Sequence, residues 1–260
     1  MMRFIRDFKN VNGKSIYLEY GKSESRSQTI VFLHDSLGCT SLWRDFPLRL
    51  ADAANCNFLV YDRLGYGKSD PLPTYNRPVN YMDLEADALI DLLTVLEIDD
   101  AVLFGHSDGG TIALLTAIKY PSRVKCVICE AAHIFVEELT LNGVYKAKNA
   151  YANTDLPARL EKYHGNKVET LFKAWTETWI RVDFRNWSIQ KDLSAITCPL
   201  LFIQGESDEF GTLNQVDKTI NSVSSYAEKF VIPNVGHTPH KETPDIVLEK
   251  ATAFIFNQKF

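Results

Sequence analysis

The chain of 260 residues holds between one and two average domains and can bury about 70 to 75% of the surface its unfolded form exposes, so a self-sufficient core is within reach. Hydrophobic residues at 45% and charged residues at 23% exclude a disordered, collagen-like or low-complexity chain. A net charge of −5, with no basic run, gives no electrostatic footprint for nucleic acid or for an anionic membrane surface.

Two short alternating segments, around Phe4–Phe8 and Ser15–Tyr20, flank Asn10-Val11-Asn12-Gly13 and predict a hairpin. Short apolar runs then alternate with helical patterns. Strands are expected over Thr29–Leu33, Asn57–Tyr61, Ala101–Gly105 and Val124–Ala131, with helices near Leu42–Asn55, Tyr81–Leu96 and Asp108–Tyr120 between them. This rhythm implies right-handed crossovers and a mainly parallel sheet covered on both faces. From about His133 to Ser194 it breaks: Phe172, Trp175, Trp179 and Trp187 fall among charged residues at helix-like spacing, which reads as a helical cap over 133–194 inserted into a core of 1–132 and 195–260. A strand over Pro199–Gln204, a helix near Leu213–Ser222, a strand over Lys229–Ile232 and an amphipathic helix over Asp245–Phe256 close the chain.

The longest apolar runs, such as Thr111–Ile118, fall far short of the roughly 20 residues of a membrane span, and the charged N-terminus lacks the apolar stretch of an export signal. A cytoplasmic protein, monomeric or homodimeric and without a membrane span, is expected. Five widely spaced cysteines fit a reducing compartment. Cys126 and Cys129, three apart on a buried strand, point to opposite faces and read as small core residues, not as a redox pair.

Gly105-His106-Ser107-Asp108-Gly109 carries the G-x-S-x-G spacing between a buried strand and a helix. A nucleophile raised on so sharp a turn needs small residues two before and two after it, and Gly105 and Gly109 meet that need for Ser107. Were Asp108 the nucleophile, His106 would have to be small. Serine requires a histidine to take its proton and a carboxylate to hold that histidine's tautomer. His237 and Asp208 each follow a strand's C-terminal end, in the chain order serine, acid, histidine. Glu206 and Glu209 are rivals for the acid, but Asp208 is the better placed. The backbone N–H groups of Asp108 and Ser36 are expected to hold the oxyanion.

With these residues the chain resembles the α/β-hydrolase superfamily, in its capped esterase and C–C hydrolase-like branch. The matching motifs are Phe32-Leu33-His34 with Gly38, Tyr61 to Ser69, Gly105 to Gly110, Gly205 to Asp208, and Gly236-His237, spanning residues 4 to about 256. The resemblance implies an α/β fold with an eight-stranded, mostly parallel sheet whose second strand is antiparallel, a helical lid, and no metal or organic cofactor. It implies a serine hydrolase, carboxylesterase-like, that cleaves a small ester through an acyl-enzyme. C–C bond hydrolysis, lactone opening, thioester cleavage, or a ligand receptor with vestigial turnover are the alternatives on the same residues.

In one place the chain departs from its relatives, which usually have glycine after the first histidine. Here it is Asp35, a carboxylate beside the oxyanion site, for which Arg63 is the expected partner. Alternatively Asp35 and Asp108 face the pocket and favour a cationic or hydroxylated substrate. Asp35, His106, Trp175 and Trp179 are candidate substrate contacts. His237 and His240 read as a catalytic residue and a neighbour at the pocket rim, with Pro239 between them, better than as a metal pair. His34, His106 and His133 read as structural histidines held by hydrogen bonds, and Gly65-Tyr66-Gly67 lacks the third glycine of a dinucleotide loop.

Overall fold

The computed structural model describes residues 2–258. Strands β1 (Arg3–Val11) and β2 (Lys14–Lys22) pair antiparallel through a two-residue turn in which Asn12 and Gly13 both have positive φ, 51° and 77°. That geometry matches the twist of a hairpin and is the reason asparagine and glycine occupy it. The remaining strands are β3 (Thr29–Leu33), β4 (Asn57–Tyr61), β5 (Ala101–His106), β6 (Val124–Glu130), β7 (Leu200–Gly205) and β8 (Ala227–Ile232). Together they make one eight-stranded sheet in the order β1-β2-β4-β3-β5-β6-β7-β8. β2 runs antiparallel to both neighbours, while β3 to β8 are parallel.

Period-two alternation divides the side chains of the central strands between two cores. Ile30, Phe32, Val102, Phe104, Cys126, Ile128, Leu201 and Ile203 pack on one face, with α1 (Phe46–Ala53) and α9 (Pro244–Asn257). Val31, Leu33, Leu103, Val127, Cys129, Leu200 and Phe202 pack on the other, with α2 (Tyr81–Val95) and α3 (Asp108–Lys119). Cys126 and Cys129 thus lie in different cores, and all five cysteines are buried and unbonded. Burial pushes the thiol of Cys39 up to about 12 and those of Cys56 and Cys198 up to about 11.

The helix expected over Leu42–Asn55 is broken. Arg44 takes φ 54°, separating a short 3₁₀ turn at Thr40–Trp43 from α1, and Pro47 stands in the first turn of α1 where its missing N–H is harmless. Between β6 and β7 the chain forms α4 (Glu138–Asn153), α5 (Leu156–His164) and α6 (Val168–Ile180). The aromatic residues between β6 and β7 pack as a group, with Tyr151 stacked on Phe172 at 4.0 Å and Phe184, past the end of α6, on Trp187 at 5.3 Å. Two polar side chains tie this segment to the loops that follow β3 and β4. His164 accepts from the Gly67 N–H and donates from Nε2 to the Leu37 carbonyl, while Lys167 donates to the carbonyls of Tyr66, Gly67 and Ser69. The last stretch holds α7 (Leu213–Ser222) and a single turn α8 (Pro239–Glu242) before α9.

Parallel β3, β5, β6, β7 and β8 lie side by side, so the loops after their C-terminal ends converge on one edge of the sheet. The close approach of β3 to the start of α3 depends on Gly109, where a Cβ would stand 2.0 Å from the Leu33 carbonyl oxygen. Gly109→Ala is therefore expected to lower unfolding stability by about 3 kcal/mol or more, measured by urea denaturation, because backbone rather than a flexible side chain must move. A loss below about 1 kcal/mol would show that this contact is not tight.

Candidate active site

Ser107 is placed by strain. It joins β5 directly to α3 with φ 54° and ψ −121°, a region that costs a residue with a side chain about 1–3 kcal/mol and persists only when its surroundings hold it. Its N–H donates to the Glu130 carbonyl at 2.8 Å, and its carbonyl accepts from Thr111 N–H at 3.0 Å. Side chains at the flanking glycines would block the turn: a Cβ on Gly105 would lie 2.2 Å from the Gly109 carbonyl oxygen. Ser107 is 7% exposed, with its hydroxyl at the floor of a cavity.

Asp208 and His237 come to the same point from the loops after β7 and β8. His237 Nδ1 lies 2.9 and 3.0 Å from the two Asp208 oxygens, and its Nε2 lies 3.0 Å from Ser107 Oγ. A carboxylate can only accept, so Nδ1 carries the proton and Nε2 presents its lone pair to the serine hydroxyl. Asp208 is fixed in turn by the N–H groups of Phe210 and Gly211 and by Gln204 Nε2. Burial alone would raise its carboxyl, but the bond and charge of His237 and the Phe210 N–H outweigh burial and hold it below the usual range. The rival acids Glu206 and Glu209 are both exposed and make no such contact with His237.

The Ser36 N–H, in the loop after β3, and the Asp108 N–H, at the start of α3, have no acceptor within the protein among the described residues. Both residues line the cavity beside Ser107. Two expected contacts differ. Arg63 Nη2 donates to the Asp35 backbone carbonyl at 2.9 Å and its guanidinium faces Glu85 at 3.7 Å, so it is not the partner of the Asp35 carboxylate. That carboxylate faces His106 Nδ1 at 3.8 Å instead. Asp35 does line the cavity; the His106 ring, 2% exposed, lies behind it with Nε2 turned to the His237 carbonyl. His240 is not at the rim either. It is buried under Trp43, and the Glu130 carboxylate takes both its N–H and its Nδ1, each at 2.5 Å.

The cavity is about 230 Å³ and has Trp175 and Trp179 of α6 in its wall, with Phe210, Thr140, His133 and Glu209. Trp179 Nε1 donates to Tyr81 Oη, and Tyr81 donates to the Asp108 carboxylate at 2.9 Å, linking α6 to the start of α3. Sequence reasoning singled out neither Thr140 nor Phe210 as a wall of the site. His133 had a usable signal, since it closely follows the C-terminal end of β6, between the strands whose loops hold Ser107 and Asp208.

The buried histidines give the protein an acid sensitivity whose sign is determined. His34 accepts from Arg63 N–H and donates to the Asp35 carbonyl, and His164 is likewise held between one N–H and one carbonyl. Such pairs need the neutral ring; burial pushes both pKa values below the ordinary one, as it does for His133 and His240. His106 is raised and works in the opposite sense. A depressed histidine binds more protons unfolded than folded, so its contribution is complete above about pH 6.5 and is lost as the pH falls toward the folded pKa, by up to about 1.4 kcal/mol per pH unit for each group. Tm is expected to decline steadily from pH 7 to pH 5; a flat profile would contradict the neutral assignments.

The family model described as "Alpha/beta hydrolase family" matches residues 30–250. Serine hydrolase BPHL from Homo sapiens is 28% identical over 210 residues, covering 76% of this chain and 68% of the relative. The 2-succinyl-6-hydroxy-2,4-cyclohexadiene-1-carboxylate synthase of Enterobacter sp. strain 638 is 26% identical over 250 residues, 84% of this chain and 88% of the relative. Among solved structures, the 2-hydroxy-6-oxo-6-phenylhexa-2,4-dienoate hydrolase from Rhodococcus sp. strain RHA1 superposes with a TM-score of 0.85 at 15% identity, over 98% of this chain and all of the other. With the eight-stranded sheet and its antiparallel second strand, the family match over most of the length leads to one conclusion: the chain belongs to the alpha/beta hydrolase family.

Proposed function

We propose that the protein is a serine hydrolase that cleaves a small ester through an acyl-enzyme, in the manner of a carboxylesterase. The observation that carries this reading is the unbroken line from Ser107 Oγ through His237 to Asp208 at the floor of the cavity. Ser107 attacks the ester carbonyl while His237 takes its proton, and Asp208 holds the tautomer and stabilises the imidazolium. The N–H groups of Ser36 and Asp108 receive the oxyanion, the second at the positive end of α3. His237 then returns the proton to the leaving alcohol and activates the water that frees the acyl group. Residues 133–194 act as a lid over a core of 1–132 and 195–260, with Trp175 and Trp179 as apolar walls against the substrate.

Size and charge narrow the substrate. A cavity of 230 Å³ falls below the roughly 300–1,000 Å³ of drug-sized sites, which favours a small molecule. Asp35, Asp108 and Glu209 line it, with no lysine or arginine among the described lining residues. That lining favours a neutral, hydroxylated or cationic ester over an anionic one. The Rhodococcus neighbour is named for a dienoate, an anion that this lining disfavours. C–C hydrolysis of a carboxylated diketone is accordingly the weaker reading.

Ser107→Ala is expected to abolish turnover of p-nitrophenyl acetate and butyrate and labelling by a fluorophosphonate while leaving Tm nearly unchanged; activity retained in that variant would exclude this nucleophile. Asp208→Asn should lower kcat by roughly 10⁴ through the wrong histidine tautomer, whereas Glu206→Gln should leave it unaltered, and the reverse pattern would displace Asp208 as the acid. Across esters matched in size, those bearing ammonium or hydroxyl groups should exceed the carboxylate-bearing one in kcat/KM by about tenfold, equivalent to about 1.4 kcal/mol. Preference for the carboxylate would refute the charge argument.

A further inference from the structure

We propose that His106 is a positioning residue for His237, and that Asp35 acts through His106 to hold it in that task. This rests on the serine hydrolase reading above. His106 is the last residue of β5 and directly precedes Ser107, so one backbone carries both the serine and the ring behind it. Its Nε2 lies 2.8 Å from the His237 backbone oxygen. A carbonyl oxygen only accepts, so Nε2 carries a proton and donates it, and the other nitrogen, Nδ1, is the one turned to Asp35.

The remaining contacts show why this bond matters. Asp208 holds the His237 ring, and among the described residues two further side chains hold the backbone around it. Glu242 accepts the N–H groups of Gly236 and Thr238 at 2.9 and 3.1 Å, on the exposed side. His106 takes the carbonyl of His237 itself, on the buried side. The distance between His237 Nε2 and Ser107 Oγ is therefore spanned by a short strut anchored in the residue next to the serine, and a misplacement of about 1 Å at such a point can reduce a rate 10²-fold.

Asp35 is shaped for the second part. Its Oδ1 fills the space a side chain at position 38 would need, 2.1 Å from a Cβ built on Gly38, so the absence of a side chain there lets the carboxylate turn toward His106. Other groups face the same ring. Glu130 is committed to His240, whose ring lies 5.0 Å from that of His106; the His237 ring lies at 5.1 Å, and Lys241 approaches from α8. Asp35 is thus the acid left to serve His106. Burial opposes a charge on His106, but Asp35 and Glu130 outweigh it and raise its pKa. The 3.8 Å approach also places an imidazole beside the carboxylate that adjoins Ser36.

The test reads kcat and KM for p-nitrophenyl butyrate together with the rate of Ser107 labelling by a fluorophosphonate. His106→Phe fills the space without a donor and is expected to lower kcat and the labelling rate tenfold or more with KM within twofold. His106→Gln restores an N–H donor of similar reach and is expected to recover both to within about threefold of wild type. Asp35→Asn should lower kcat severalfold alone but have no further effect in the His106→Phe background, since its action runs through that ring. If wild type neither labels nor turns over any ester, the hydrolase reading itself fails. If wild type labels and His106→Phe labels as fast, or the two substitutions are additive, this inference fails. Should His106→Phe not fold, ¹⁵N spectra of histidine-labelled wild type decide: a protonated His106 Nε2 from pH 6 to 9 supports the strut, and an unprotonated one overturns it.

Discussion

The site depends on one residue of backbone. Ser107 sits at φ 54° because β5 and α3 must meet there without a loop, and the fold has removed the side chains that would forbid it at Gly105 and Gly109. Everything else is arranged around that bend. β3 can lie close enough to contribute the loop with Ser36 only because α3 begins without a Cβ against Leu33. The strained conformation holds the hydroxyl above the edge of the sheet, where a histidine from the loop after β8, three places from β5 in sheet order, can reach it. The strain is held by hydrogen bonds on either side of the bend, from the Ser107 N–H to the Glu130 carbonyl and from the Thr111 N–H to the Ser107 carbonyl.

Three acid–histidine pairs stand close together here. His237, held by the buried Asp208, faces the cavity; Glu130 and His240 are buried behind it, with His106 and Asp35 between. Of these histidines His237 is the one that reaches the serine, and the others mostly hold backbone. The segment between β6 and β7 adds a second polar path, from Trp179 through Tyr81 to Asp108, together with the His164 and Lys167 ties to the loops of β3 and β4. The walls over the site are therefore connected to the same loops that shape its floor.

The readable parts of the chain were those governed by local chemistry. β3 and β4 fall at the expected residues because strands buried on both faces appear as unbroken apolar runs bounded by polar ones, and α7 is likewise where its pattern puts it. Ser107, His237 and Asp208 were visible because a turn motif and two strand ends mark them, and the structure brings those three together. What eluded the sequence was long-range. The break at Arg44 falls at a residue that is no helix breaker, so no local signal marks it. Arg63 is drawn to the Asp35 backbone and Glu85, and His240 to Glu130, through pairings 22 to 110 positions apart that no local pattern encodes. Thr140 and Phe210 meet at the cavity through a hydrogen bond from the Thr140 hydroxyl to the Phe210 carbonyl, 70 positions apart.

The cysteines described with the two cores have a practical corollary. Each thiol is enclosed and its ionisation suppressed, which leaves alkylating and maleimide reagents little to attack in the native state. The wild-type background is thus spectroscopically quiet. One cysteine introduced on the outer side of α4 and another on α9 would accept a donor and acceptor dye without first stripping the natural sulfurs, and the separation between them would report, molecule by molecule, whether these two helices change their spacing when an ester is added.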